Sequence, residues 1–246
     1  MAPDLSAALV CHLRGCFSDT GTVAAGPTLL ETIRRMRREL VRHGPMDVRT
    51  EGDFERVSIP DDDADVLRDL LLAENARIVV EIGLAYGRSA LAIADALVSP
   101  GTEGAAHVII DVFQDQFHDT GWNTIVAAGL TDVCTLLRER SQYALARLTA
   151  EGFVADAAFV DGSHVFHSVF VDLFFLRELV RPGGLIVLDD CRWPSVATAV
   201  KYYESNTGWQ AEPIDRETRL RAYRLPNPKI EPSFEHFARF GLDSPG

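Results

Sequence analysis

The sequence predicts an α/β domain: a doubly wound, mostly parallel sheet of seven strands, with a C-terminal antiparallel hairpin and an N-terminal helical extension. Three observations carry that prediction. From Arg77 onward, short apolar runs alternate with segments of helical length, the pattern of βαβ units that build a parallel sheet. Two of these runs, Ala157–Val160 and Leu185–Leu188, are apolar throughout and end in carboxylates, Asp161 and Asp189–Asp190. Such runs suit strands covered on both faces. The last two runs, Trp209–Ile214 and Arg219–Leu225, have a short connection, and a hairpin on the sheet edge is the simplest account of them.

Taken in order, residues 1–60 form the extension, 61–225 the main domain and 226–246 a tail. Leu29 to Leu40 places apolar residues at helical spacing against a strongly basic face. That pattern fits a solvated amphipathic helix, or a lid or contact with a second copy of the chain. Pro45, Gly52 and Pro60 punctuate the rest of the extension, and Asp61-Asp62-Asp63 opens a helix to Leu72 with acids in its first turn, where they favour the helix dipole. Strands are expected at 78–82, 107–111, 133–137, 157–161 and 185–189. Helices are expected between them at 89–98, 124–129, 141–151 and 164–180, and after them at 195–205. Arg181-Pro-Gly-Gly184 reads as the turn closing the fourth of those helices. Beyond Pro226 the chain reads as irregular as far as Phe234–Phe240.

Composition narrows the function. The 246 residues carry 24 Lys and Arg against 36 Asp and Glu, a net charge of −12. That balance argues against binding nucleic acid through a general basic surface, and leaves small cationic cofactors and neutral substrates open. Cys11, Cys16, Cys134 and Cys191 show no Cys-x-x-Cys spacing, so free thiols in a reducing cytoplasm are expected. Leu5 to Leu13 is a short apolar stretch without a basic region before it, and no apolar run reaches 18 residues. Neither secretion nor membrane spanning is expected.

Val79 to Ser89 reads as strand, turn and helix start, with Gly83 and Gly87 allowing close approach of backbone to ligand. The Gly-x-x-x-Gly spacing departs from the dinucleotide fingerprint, which would want glycine at 85 and 88, and no Gly-Lys-Ser/Thr follows. Asp111, ending the next strand, stands where such folds hold ribose hydroxyls, the alternative being a helix cap or an exposed acid. A nucleoside cofactor without phosphates fits both features, and S-adenosylmethionine is the obvious one. Glu81 and Asp111 suit its positive sulfonium and ammonium groups.

With these motifs in hand, residues 67–194 resemble the class I S-adenosylmethionine-dependent methyltransferases. Within them they look like the metal-dependent catechol O-methyltransferase branch and the macrocin O-methyltransferase-like enzymes of antibiotic tailoring. Glu81-Ile-Gly-Leu-Ala-Tyr-Gly-Arg-Ser89 resembles the first motif, whose glycines and terminal serine contact the methionine moiety. The resemblance makes Asp111 the ribose acid and Ser141-Gln142 the adenine contact. Asp161-Gly-Ser-His164 and Leu188-Asp189-Asp190 match the metal motifs. It thereby implies a Rossmann-like methyltransferase fold and a cofactor set of Glu81, Gly83, Gly87, Ser89, Asp111, Ser141, Gln142 and Asp161. It also implies Mg²⁺, or another divalent cation, on Asp161, Asp189 and Asp190. The catechol enzymes carry Lys where this chain has His164, and Asp-Asn where it has Asp189-Asp190. Both departures lean toward the macrocin-like branch, whose acceptors are sugar hydroxyls on natural products.

The expected reaction is methyl transfer to a hydroxyl of a small molecule or glycosylated natural product in the cytoplasm. The cation would lower the acceptor's pKa and His164 would take its proton. Bland roles stand beside these: Asp161 or Asp190 as helix caps, His164 as an orienting or substrate-contacting group, His167 as a surface residue. Trp193 is expected to wall the acceptor pocket. Tyr86 and Arg88 lie within reach of cofactor or acceptor but are assigned to neither. Two other functions fit the same pattern: N-methyl transfer on the same fold, and non-catalytic S-adenosylmethionine binding.

Overall fold

The protein was analysed as a computed structural model, which describes residues 28–240. Helix α1 (Leu29–His43) starts at a capping box in which Thr28 and Glu31 satisfy each other's backbone amides, and stops at Gly44, an arrangement that stabilises a helix by about 1 kcal/mol at its cap. Helix α2 (Asp53–Val57) follows Gly52, and α3 (Asp61–Ala73) carries its three acids in the first turn. The alternating part then runs β1 (Ile78–Ile82), α4 (Arg88–Val98), β2 (Ala106–Ile110), α5 (Thr120–Ala127), β3 (Cys134–Leu137), α6 (Ser141–Ala150), β4 (Ala155–Val160), α7 (Phe166–Leu179), β5 (Val180–Leu188) and α8 (Pro194–Thr207). Two short strands, β6 (Gln210–Glu212) and β7 (Arg221–Arg224), close the fold.

The seven strands lie in the order β3-β2-β1-β4-β5-β7-β6. All neighbours are parallel except β7, which runs antiparallel to both β5 and β6. The hairpin is therefore where the sequence predicts it, and it lies against β5. Side chains alternate across the sheet. Val79, Ile109, Phe159 and Val187 face one buried cluster that contains Leu67, Leu91 and Ile93 of α3 and α4. Val80, Val108, Ala158 and Ile186 face a second, with Leu145, Leu173 and Tyr203 of α6, α7 and α8. Both faces are covered, which is why these strands read as continuous apolar runs. The chain leaves β1 toward β2 and later returns as β4 on β1's other side. That reversal opens a crevice at the carboxyl ends of β1 and β4.

Several local expectations change. Arg181–Gly184 is not a turn but the first part of β5, which starts directly after α7 with a register shift against β4 between Ala155 and Ala157. Gly184 is needed there because a Cβ would stand 2.6 Å from the Asp156 carbonyl oxygen. Helix α2 was not predicted. From Pro226 to Phe240 no helix or strand forms. The basic face of α1 is partly used internally: Arg34 and Arg37 hold the buried Asp95 of α4, and Arg37 also holds Asp65 of α3. Ile33, Leu40, Phe54 and Ile59 share the first buried cluster. Cys134 and Cys191 are free thiols, while Cys11, Cys16 and the Leu5–Leu13 stretch lie outside the described residues. No helix among the described residues is long and apolar enough to cross a membrane.

Candidate active site

One cleft of about 470 Å³ opens over the carboxyl ends of β1, β2 and β4. Its first wall is the turn after β1. Gly83 has φ 95°, and a Cβ on it would meet the Asp161 carbonyl oxygen at 2.0 Å, so only glycine fits. Gly87, at φ 86°, sits as the N-cap of α4, and Ala85 between them is held at φ 44°, a left-handed conformation that a non-glycine residue adopts only under constraint. The constraint is Asp111. Its Oδ2 accepts hydrogen bonds from the amides of Leu84 (2.9 Å) and Ala85 (3.1 Å) and from Gln114 Nε2 (3.0 Å), while Oδ1 accepts from the Phe113 amide. Gln114 also donates to the Ala85 carbonyl and accepts from the Trp122 amide. Asp111 thus lines the cleft and at the same time shapes the turn.

The predicted residues divide between cleft and core. Gly83, Asp111, Ser141, Gln142, Asp161, His164 and Asp190 all line the cleft. Ser141 and Gln142 do so as the first residues of α6. Ser89 lines a narrow adjoining crevice with Gly83 and Asp161. Glu81 is fully buried: its Oε1 accepts from the Ser89 hydroxyl, and its Oε2 lies 2.9 Å from His107 Nε2. The structure places it under the turn, between β1, β2 and α4.

A strap that the sequence did not reveal covers the turn. Tyr86 is fully buried between Phe54 and Phe117, edge-on to both at 5.7 and 5.1 Å. Its hydroxyl donates to Asp53 Oδ2 (2.6 Å) and accepts from the Arg49 amide (3.0 Å). Arg49 and Arg56 complete the shell of Asp53. The Arg49 guanidinium, with Tyr86 and Arg56, holds that carboxyl far below the usual carboxylate range despite its burial. Phe117, Arg56 and Val57 then line the cleft.

The far end of the cleft is acidic. One ligand-type atom from each of Asp161, His164 and Asp190 lies within 4.8 Å of the others. Loss of solvent, reinforced by Asp189 and Asp190, pushes the Asp161 carboxyl up to about 8. His164 Nε2 lies 3.0 Å from Asp190 Oδ2. This contact raises the imidazole's proton affinity and lowers that of Asp190. Asp190 is 9% exposed, and its Oδ1 is buried without a hydrogen-bond partner. The backbone carbonyl of His164 is pinned by the Ser195 hydroxyl at 2.6 Å. Asp189, also buried, is turned away from this group. Its Oδ1 accepts from the Asp190 amide and its Oδ2 from Arg219 at 2.5 Å. Arg219, which lines the cleft, comes from the connection between β6 and β7, and no local pattern marks it. His167 is exposed on α7, and Trp193, half exposed, stands beside Arg192 after the acidic pair.

Sheet order, crevice and glycine turn together are those of the class I methyltransferase fold. Residues 80–191 match the family model described as a methyltransferase domain, in line with the resemblance read from the sequence. Solved structures agree. An O-methyltransferase from Bacillus cereus, in complex with SAH, superposes with a TM-score of 0.58 at 16% identity, over 82% of this chain and 93% of that one. The O-methyltransferase TomG from Streptomyces achromogenes, involved in tomaymycin synthesis and solved with SAM, gives 0.59 at 16% identity over 92% and 99%. CalS11, a TDP-rhamnose 3'-O-methyltransferase of calicheamicin biosynthesis, gives 0.54 at 17% over 82% and 96%. No curated protein sequence matches the chain.

Proposed function

We propose that this protein transfers a methyl group from S-adenosylmethionine to a hydroxyl oxygen of a small molecule or glycosylated natural product. The observation that carries the reading is that one cleft joins two ends of different chemistry. The glycine turn, Asp111, Ser141 and Gln142 form a nucleoside-shaped end, and Asp161, His164 and Asp190 an end suited to activating an oxygen. Glu81, Gly87 and Ser89 support the first end from below. TomG is described as involved in tomaymycin synthesis and CalS11 as a TDP-rhamnose 3'-O-methyltransferase, which favours an acceptor of that class here. We place the reaction in the cytoplasm, with the acceptor as its partner and no role for nucleic acid or membrane. A second copy of the chain is a further candidate partner, through the exposed Arg35, Arg38 and Arg42 of α1.

The acidic end fits a divalent cation. Close-set carboxylates in poor solvent need positive charge. The raised Asp161 carboxyl is consistent with that need being unmet, and Asp190 Oδ1 is a hard donor that makes no hydrogen bond, with only the exposed, longer-range Arg192 contact at 3.6 Å. Mg²⁺ suits one or two carboxylates completed by water and substrate. Asp161 and Asp190 would hold the ion, with Asp189 behind them. When bound, it would lower the pKa of the acceptor hydroxyl and orient it. The protein's own groups do the rest. The cleft aligns acceptor oxygen, methyl carbon and sulfur for in-line displacement, an arrangement that lowers such barriers by roughly 7–11 kcal/mol in favourable systems. The new O–CH₃ bond forms as the S–CH₃ bond breaks, and the acceptor's proton passes to His164. Asp190 Oδ2 orients that imidazole and stabilises its charged form, as a carboxylate does for a catalytic histidine.

Calorimetry with S-adenosylhomocysteine tests the donor site; absence of binding would end the reading. Methyl transfer to a panel of glycosides and phenols, with and without EDTA, tests the acceptor and the cation. Because Asp190 raises the proton affinity of His164, the rate should rise with pH through a midpoint above the ordinary histidine value of about 6.5. His164→Gln should lower it by about 10²–10⁴-fold and flatten the profile. A His164→Gln enzyme with an unchanged profile would remove the base.

A further inference from the structure

The chain carries an internal cation at the acidic corner, and its placement separates two neighbouring carboxylates that the sequence treats alike. Arg219 Nη2 reaches Asp189 Oδ2 at 2.5 Å, and its Nε lies 3.6 Å from Asp63 Oδ2 at the start of α3. Asp189 and Asp63 are both buried. The connection that carries Arg219 is stapled to α3 at two further points: the Thr218 hydroxyl donates to Asp63 Oδ1 at 2.5 Å, and Arg216 donates to Asp69 Oδ2 at 2.6 Å. The guanidinium is thus held in place by α3, and its position does not depend on a bound ion. Asp189 spends its other oxygen on the Asp190 amide, so both of its oxygens are engaged. Asp190 next to it has the left-handed φ of 57°. It keeps Oδ1 buried without a hydrogen bond, 3.6 Å from the exposed Arg192 Nε, while Oδ2 faces His164.

We propose that Arg219 takes Asp189 out of the ligand set, leaving a cation site built on Asp161 and Asp190 with Arg219 as its positioning residue. A guanidinium fixed on a carboxylate in a buried place is not readily displaced, because separating the two leaves each unpaired. A divalent ion entering the corner meets instead Asp161, which faces the cleft, and the Oδ1 of Asp190, which makes no hydrogen bond and lies 3.6 Å from the exposed Arg192. Arg219 also keeps the total negative charge at the corner down, which limits how tightly a divalent ion is held and favours one that is completed by acceptor and water oxygens. The inference rests on the cation-assisted reading of the cleft, yet it fails or stands separately from the methyl-donor site.

The test is direct binding of Mn²⁺ alone to the full, metal-stripped chain, followed by electron paramagnetic resonance, with S-adenosylhomocysteine calorimetry and circular dichroism on every variant. Asp161→Asn and Asp190→Asn should each weaken Mn²⁺ by at least about tenfold, whereas Asp189→Asn, which changes the charge of the corner but removes no ligand, should cost no more than about threefold. Arg219→Gln should tighten Mn²⁺ by releasing Asp189, and adding Asp189→Asn in that background should reverse the gain. The double variant exchanges an ion pair for a neutral pair, so it keeps the comparison open if a single variant does not fold. Loss on Asp189→Asn equal to that on Asp161→Asn would overturn the proposal. So would an Arg219→Gln protein with unchanged affinity, or a wild-type chain that binds S-adenosylhomocysteine but no Mn²⁺. Failure to bind S-adenosylhomocysteine would instead strike the donor reading.

Discussion

At the scale of single residues, burial decides what is charged. Asp172 on α7 is buried with its Oδ1 unpartnered, and loss of solvent pushes its carboxyl up to about 7 against the opposing effect of the Ser141 hydroxyl. In the unfolded chain the same group titrates near 3.9. Between those values the unfolded state loses its proton and the native state keeps it, so stability falls as pH rises from about 4 through about 7, by on the order of a few kcal/mol. Asp172→Asn should remove most of that slope, read as the melting temperature from pH 5 to 8; an unaltered slope would show that Asp172 is ionised in the native state. Gly83→Ala makes the opposite kind of demand. A methyl group cannot share space with the Asp161 carbonyl oxygen 2.0 Å away, and the φ of 95° adds strain. Destabilisation of about 3 kcal/mol or more is expected, with loss of S-adenosylhomocysteine binding. Gly83, Asp111, Asp161, His164 and Asp190 were legible in the sequence because each sits at or just past the end of an apolar strand, a place the local pattern reveals. Gln114, Asp53 and Arg219 were not. Their importance comes from partners brought close by the fold, 29 to 33 positions away, and no local pattern records such pairs.

At the scale of elements, the sheet was legible nearly strand by strand, since burial on both faces writes itself as apolar runs. What failed were short or interrupted pieces. Helix α2 has five residues and no apolar periodicity to announce it. The first residues of β5 contain Pro182 and two glycines, which signal a turn unless the neighbouring strand is known. Helix α2 matters because it is clamped over the glycine turn through Asp53 and Tyr86. Asp53→Ala would leave Arg49, Arg56 and the Tyr86 hydroxyl without their shared partner, a loss of about 1.5–3 kcal/mol for charge-assisted bonds. Hydrogen exchange should then speed up at amides 49–57 while β1 and β4 stay protected. Equal acceleration throughout would mean that the strap is not a separate unit.

For the molecule as a whole, the donor should act as a clamp. The cleft draws on β1, β2, β4, the start of α6 and the α2 strap, so a ligand filling it binds the native state alone. At a hundred times its dissociation constant, S-adenosylhomocysteine should stabilise the fold by about 2.7 kcal/mol. For a chain of this size that is about 5–10 °C in melting temperature. A shift near zero at saturating ligand would contradict the cleft as the donor site. The acidic net charge, the two covered sheet faces and the hairpin edge were all read from composition and pattern, because they are averages over many residues. The joining of α3 to the hairpin was not. It depends on three contacts, Arg216–Asp69, Thr218–Asp63 and Arg219–Asp63.

Those same contacts set an order of events during synthesis. Thr218 meets Asp63 across 155 positions, and Arg219 meets Asp189 across 30. While the ribosome still holds the last stretch of chain, the glycine turn and β1, β2, β4 and β5 are already outside. The buried Asp189 then has no counter-charge, and α3 has nothing to tie it to the hairpin. The nascent protein therefore carries a half-built corner until Arg219 emerges. A chain cut short before that residue would also lose β7, the strand that covers the edge of β5, together with the arginine that sorts Asp189 from Asp190.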